Sequence, residues 1–155
     1  MMMKGRCACG GVSYELTTAP MIVHCCHCRH CQRETGSAFV VNAMIESERL
    51  HVEGTVELVL TPSESGRGQE IARCPDCRIA LWSHYPKAGR RSSFVRVGTL
   101  DEPATCPPDV HIFTRSKQPW VQLPAGTPNF ADIYPSREDV WSAAAMDRWH
   151  AMMAS

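Results

Sequence analysis

No stretch of this chain stays apolar long enough to span a bilayer. The N-terminal Met1-Met2-Met3-Lys4-Gly5-Arg6 has no apolar core to serve as a secretory signal, so the expected location is the cytoplasm, with no membrane partner. Charge of one sign is also missing: 16 Lys and Arg stand against 16 Asp and Glu. Without a basic field or a Lys/Arg run, a nucleic-acid partner is not expected. The pair Arg90-Arg91 reads as a solvated turn. There is no internal repeat and no low-complexity tract, which leaves one ordinary domain, or a domain with a tail, in 155 residues.

What the chain does have is cysteine. Seven of its nine cysteines fall in three clusters, Cys7-x-Cys9, Cys26-x-Cys28-x-x-Cys31 and Cys74-x-x-Cys77. In a reducing compartment such clusters bind metal or do chemistry rather than form disulfides. A closed zinc site takes four protein ligands, whereas a reactive one keeps three and leaves a position open. Seven thiolates divide as four plus three. Cys7, Cys9, Cys74 and Cys77 would make a structural zinc site tying the first strand to the middle of the sheet. Cys26, Cys28 and Cys31 would hold a second zinc with a vacant position. That position is open to water, to a substrate thiol, or to closure by Cys25 or one of His24, His27 and His30. Three thiolates make zinc a poor Lewis acid toward water but leave it receptive to soft sulfur. A thiol entering such a site is deprotonated. Cys106 stands alone beside prolines, as an unligated loop or core residue.

The first two thirds read as short strands separated by turn residues, a mainly β domain. Strands are expected over 11–17, 22–24, 39–45, 51–53, 56–61, 70–73, 79–83 and 94–98. Val12, Tyr14 and Leu16 alternate with polar residues, as do Val56, Leu58 and Leu60, the period of half-buried strands. Arg29–Thr35 lacks alternation and stops at Gly36, which predicts a short helix after the central cluster. A C-terminal helix is expected from an N-cap at Ser136, with Val140, Trp141, Ala144, Ala145, Arg148, Trp149 and Met152 at helical spacing. It would pack on the sheet, or serve as a lid or a homodimer contact.

Two further stretches extend the pattern. Gly5-x-Cys7-x-Cys9-Gly10-x-Val12, Cys26-His27-Cys28-x-x-Cys31-Gln32-x-x-x-Gly36-Ser37 and Cys74-x-x-Cys77 are followed by Val97-Gly98-Thr99-Leu100-Asp101 and His111-Ile112-Phe113-x-x-Ser116-Lys117-x-x-Trp120. Together, from Gly5 to about Phe130, they resemble the glutathione-dependent formaldehyde-activating enzyme family, whose domain centromere protein V proteins share. The resemblance implies a β-tent fold of short antiparallel sheets, with a zinc-binding domain over 4–130; the tail over 131–155 lies outside the match and is expected as a helical extension packed on that domain. It also implies two zinc ions on the two cysteine sets above, and a carbon–sulfur lyase that joins glutathione to formaldehyde as S-(hydroxymethyl)glutathione. The expected partners are then a small thiol and an aldehyde.

Arg29, Arg33, Arg115 and Lys117 are candidates for the tripeptide's carboxylates, and Gly36 and Ser37 for backbone N–H contacts. Lys117 and Trp120 equally suit a structural pair, and His27 and His30 are base candidates by nearness only. Two residues depart from the family pattern. Arg73 and Arg78 flank the CxxC where an aromatic and a glycine are usual. The rival reading is a zinc-stabilised binding module without catalysis; a weaker one is a redox or metal-trafficking role for the cysteines themselves.

Overall fold

The computed structural model describes residues 2–155. Ten strands and two α-helices make a mainly β protein. β1 (Met3–Arg6), β2 (Ser13–Leu16) and β5 (Leu50–Glu53) form a three-stranded sheet in the order β1-β2-β5. The other strands are β3 (Ile22–Cys26), β4 (Val40–Glu46), β6 (Glu57–Thr61), β7 (Gln69–Arg73), β8 (Ala80–His84), β9 (Ser92–Arg96) and β10 (Val110–Ile112). They form a seven-stranded sheet in the order β10-β3-β4-β9-β8-β7-β6. All pairings are antiparallel except β10 with β3, which sets His111 beside Cys25 and Ile112 beside Cys26.

Each of the eight expected strands is present within a few residues of its expected bounds. The alternation in β2 carries directly into packing: Val12, Tyr14 and Leu16 are all buried, in one cluster with Ile45, Leu81, Trp82 and Val95 from the larger sheet. Gly5 is required there, because a Cβ would lie 2.3 Å from the Tyr14 ring. The second alternating run behaves differently. β6 is an edge strand, and Leu58 and Leu60 point outward, Leu60 78% exposed. Two strands were not expected, β1 and the three-residue β10.

Helix α1 (Arg29–Thr35) ends as predicted on Gly36, whose φ of 64° supplies the left-handed turn. Helix α2 (Ala143–Ala154) has its N-cap at Ser142, six residues later than the predicted Ser136, and the Ser142 hydroxyl accepts the Ala145 N–H at 3.1 Å. Residues Arg137–Asp139 make only one 3₁₀ turn, and Val140, at φ −126°, breaks the path to the helix. Trp141 is therefore buried from a loop, while Ala145, Trp149 and Met152 form the inward stripe and Ala144 is exposed.

This stripe packs on a second buried cluster containing Met21, Ile22, Met44 and Val110. A buried ion pair fixes its position. Arg148 donates from Nε and Nη2 to the two oxygens of Glu46, at 2.8 and 2.5 Å, and from Nη1 to the Ala19 carbonyl at 2.9 Å. Burial pushes the Glu46 carboxyl up, but the Arg148 bonds and charge, with Arg49, outweigh it and hold it below its ordinary 4.5. A depressed folded value stabilises above the unfolded value and is lost as pH falls through the folded one. Acidification below about pH 4.5 should therefore loosen α2 early, read as a shift in tryptophan fluorescence. In Glu46→Gln the acid-dependent component should vanish; an unchanged profile would show that the pair does not hold the helix.

Candidate functional site

Two turns, one from each sheet, converge to make the first cluster. Cys7 and Cys9 sit in the β1–β2 turn, closed by Cys7 N–H to the Val12 carbonyl at 3.0 Å. Cys74 and Cys77 sit in the β7–β8 turn, closed by Cys74 N–H to the Ile79 carbonyl at 3.1 Å. The four sulfurs lie within 4.8 Å of one another, with Cys7 to Cys9 at 3.5 Å and Cys9 to Cys74 at 3.6 Å. A tetrahedron with metal–sulfur bonds of about 2.3 Å has edges of about 3.8 Å, so the set fits one ion. Backbone N–H groups support the sulfurs: Val12 donates to Cys7 at 3.3 Å and Gly11 to Cys9 at 3.4 Å. The Ile79 and Cys9 amides hold the Cys77 thiol down, at about 6.

The second cluster is local. Cys26 ends β3, Cys28 caps α1 with its sulfur accepting the Cys31 N–H at 3.3 Å, and Cys31 lies in the first turn. All three are buried, and their sulfurs lie within 4.8 Å of one another. Among the described residues no fourth Cys, His, Asp or Glu ligand atom joins that group. Hydrogen bonds from Cys26 and Cys31 pull the Cys28 thiol down to about 2, while Cys28 and Cys31, with burial, push Cys26 sharply up. The charge on this cluster has a neighbour in Arg96, which is buried with no carboxylate among the described residues within 4.0 Å. Its guanidinium is fixed by Asn42 at 2.6 Å and Ser83 at 3.1 Å. The Cys26 bond and, more weakly, the Arg96 charge pull the Cys31 thiol down, but Cys28 and burial outweigh them and push it up to about 12. A buried cation without a carboxylate suits a thiolate cluster that carries net negative charge.

The residues weighed as closing ligands go elsewhere. Strand alternation turns Cys25 away from Cys26, into a separate buried group with His27 and His111. His27 Nε2 lies 3.6 Å from Cys25 Sγ and 2.9 Å from His111 Nδ1. Burial, with His111 and Lys117 nearby, lowers His27 to about 4, so it is neutral at pH 7 and lies away from the three-cysteine cluster. His24, on the same strand face as Cys26, instead bonds Tyr134 Oη at 2.7 Å. Tyr134 Oη in turn accepts the Trp141 indole N–H at 2.7 Å. His30 lies 3.9 Å from Glu64. Cys106 is buried in the main core, as expected of an unligated residue.

The three-cysteine cluster opens on a cavity of about 510 Å³, lined also by His24, Met44, Phe94, Tyr134, Trp141 and Trp149. The residues beyond 130 were not legible as part of this site. Arg67, Lys87 and Arg137 stand on the same cavity and were not candidates either. Of the basic residues that were, Arg115 is engaged by Glu64 at 2.5 Å and by Asp132. The Lys117 ammonium donates to the Gln118 and Val121 carbonyls at 3.1 and 2.7 Å, closing its own turn. Trp120, 72% exposed, makes no structural pair with it there. Arg29 and Arg33 line a second depression of about 480 Å³ with Gly36 and Ser37, apart from the sulfurs.

Both departures beside the CxxC have a structural reading. Arg78 takes the left-handed conformation, at φ 66°, where a glycine is usual, and its side chain pairs with Glu57. Arg73 reaches Glu34 of α1, so it links the element bearing Cys74 to the helix bearing Cys31.

Comparison with curated proteins finds no match. Among solved structures, a crystal structure of a Rhodobacter sphaeroides protein is similar over 64% of this chain and 88% of its own, at 24% identity and a TM-score of 0.48. Likeness at that level bears no weight on function. The profile of the glutathione-dependent formaldehyde-activating enzyme family matches residues 2–116. With two cysteine sets able to hold metal, and most of its length within that profile, the chain belongs to the glutathione-dependent formaldehyde-activating enzyme family.

Proposed function

We propose that the protein is a zinc-dependent carbon–sulfur lyase-type enzyme, adding a glutathione-like thiol to formaldehyde or a related small electrophile. The observation that carries this reading is the second cluster: three buried sulfurs within 4.8 Å, no fourth Cys, His, Asp or Glu ligand atom with them among the described residues, and a cavity of about 510 Å³ beside them. Cys26, Cys28 and Cys31 would hold the reactive zinc, and Cys7, Cys9, Cys74 and Cys77 the structural one. Bound at three thiolates, zinc supplies a deprotonated thiol at neutral pH. The remaining work is done by the chain. Arg96 balances charge behind the cluster, the cavity wall excludes water, and Arg67, Lys87 and Arg137 offer cations for the tripeptide's carboxylates.

Residues 131–155 are part of this site in our reading, an extension packed on the domain of residues 4–130 rather than a unit of its own. No helix is long and apolar enough to cross a membrane. A cytoplasmic location would keep the thiols reduced.

The test is carbon-13 exchange NMR on labelled formaldehyde and glutathione, with catalytic amounts of zinc-loaded protein. The adduct forms without a catalyst, so the exchange rate is the quantity to follow. Faster exchange is expected. No acceleration with both metal sites filled would favour a different thiol–electrophile pair or a binding module.

A further inference from the structure

We propose that the electrophile this site takes carries a bulky apolar group, as in an aromatic or long-chain aldehyde, and that the C-terminal extension selects it. The inference rests on the thiol-addition reading above and names its substrate class.

Three observations carry it. The first is size. About 510 Å³ lies within the range of sites for drug-sized ligands, so the cavity suits a whole thiol adduct rather than formaldehyde alone. The second is chemistry. Glutathione is a charged tripeptide, and its place is with the cations, Arg67 and Lys87 being exposed and Arg137 half-buried. The carboxylate of Glu64 also lines the cavity. The wall formed by Met44, Phe94, Ile112, Tyr134, Trp141 and Trp149 offers that peptide little. An apolar surface of this kind gains by burying an apolar group.

The third observation is rigidity. Tyr134 Oη is tied to His24 and to Trp141, each at 2.7 Å. Trp141 and Trp149 meet edge to face at 5.8 Å, and the Arg137 guanidinium lies 4.2 Å from the Trp149 ring centre and 5.5 Å from that of Trp141. A wall locked in this way is preformed for a ligand rather than collapsed on itself. Tyr134, Arg137, Trp141 and Trp149 all lie beyond residue 116, where the family match ends. Of the aromatic residues of the wall, Tyr134, Trp141 and Trp149 therefore come from outside the matched segment, and Phe94 from within it.

The reaction keeps the same balance with the larger substrate. One carbon–sulfur bond forms, the carbonyl π pair moves to oxygen, and the thiol proton ends on that oxygen. Nothing is oxidised and nothing leaves.

The experiment uses the zinc-loaded protein and two sets of probes. Inert thioethers that mimic the adduct, S-methyl-, S-hexyl- and S-benzylglutathione, are titrated by calorimetry. Each buried methylene should tighten binding about fourfold, so the hexyl and benzyl compounds are expected at least tenfold tighter than the methyl one. Ile133, half-exposed on the same cavity, tolerates a polar change, and Ile133→Glu should cut this preference below about threefold. Equal affinity for all three thioethers, or a preference untouched by Ile133→Glu, would overturn the inference. In parallel, exchange is followed with phenylacetaldehyde and with formaldehyde. Acceleration with phenylacetaldehyde is expected. Acceleration confined to formaldehyde overturns the inference and leaves the thiol-addition reading standing; acceleration with neither overturns both.

Discussion

Replacing Cys28 by serine is expected to slow catalysed adduct exchange by at least about a hundredfold while leaving the fold intact. The reasoning is local. Cys28 is the N-cap of α1, its sulfur accepting the Cys31 N–H at 3.3 Å. Serine is among the preferred N-cap residues, so the helix keeps its first-turn contact after substitution. What disappears is one of three sulfurs, the one whose thiolate its neighbours favour most. Metal content should fall by one equivalent, a readout independent of activity. Circular dichroism should stay unchanged. A folded Cys28→Ser protein with full exchange activity would remove the three-cysteine cluster from the mechanism.

Replacing Cys74 should do the reverse, costing stability before chemistry. Cys74 is fully buried at the point where a turn of the seven-stranded sheet meets a turn of the three-stranded one. A metal held by four thiolates there closes a long loop, since Cys9 and Cys74 are 65 residues apart. Binding of this kind contributes directly to folding free energy. For Cys74→Ser a loss of about 4 kcal/mol is expected, a fall of about 10 °C in Tm for a domain of this size. Chelator treatment of the unsubstituted protein should approach the same value. A Tm within about 2 °C of the starting protein would mean that the two sheets are held by their shared core alone.

Much of this was legible in the sequence because cysteine spacing and strand alternation are local signals with long-range consequences. The grouping of seven sulfurs as four and three needed only ligand count, and the fold brings those sets together. Eight strands followed from turn residues and alternation. What failed depended on neighbours. Met3–Arg6 carries two charges and a glycine, so nothing in it marks a strand until β2 and the Tyr14 ring lie against it. β10 is three residues long and exists by pairing with β3.

At Leu58 and Leu60, alternation was right about the strand and silent about which face is buried. Ser136 and Ser142 are both of an N-cap residue type, but only the Ser142 hydroxyl accepts a capping N–H, and Ser136 precedes a single 3₁₀ turn with no such bond. The site was half visible for the same reason. Its sulfurs come from one short segment, but Tyr134, Trp141 and Trp149 of its wall lie about a hundred positions further on, and no periodicity connects them.

The two cysteine sets also differ in when they come into being. Cys26, Cys28 and Cys31 are complete as soon as one short stretch has left the ribosome, whereas Cys7 and Cys9 must wait for Cys74 and Cys77. At about 5–20 residues per second the gap is roughly two to ten seconds. During that interval the nascent chain offers a trio of thiols and a lone pair, and an ion arriving early meets the trio first. On the proposed assignment the order of filling would be the opposite of the order of importance for stability: the set proposed for chemistry would compete for metal before the set that joins the two turns has all its ligands.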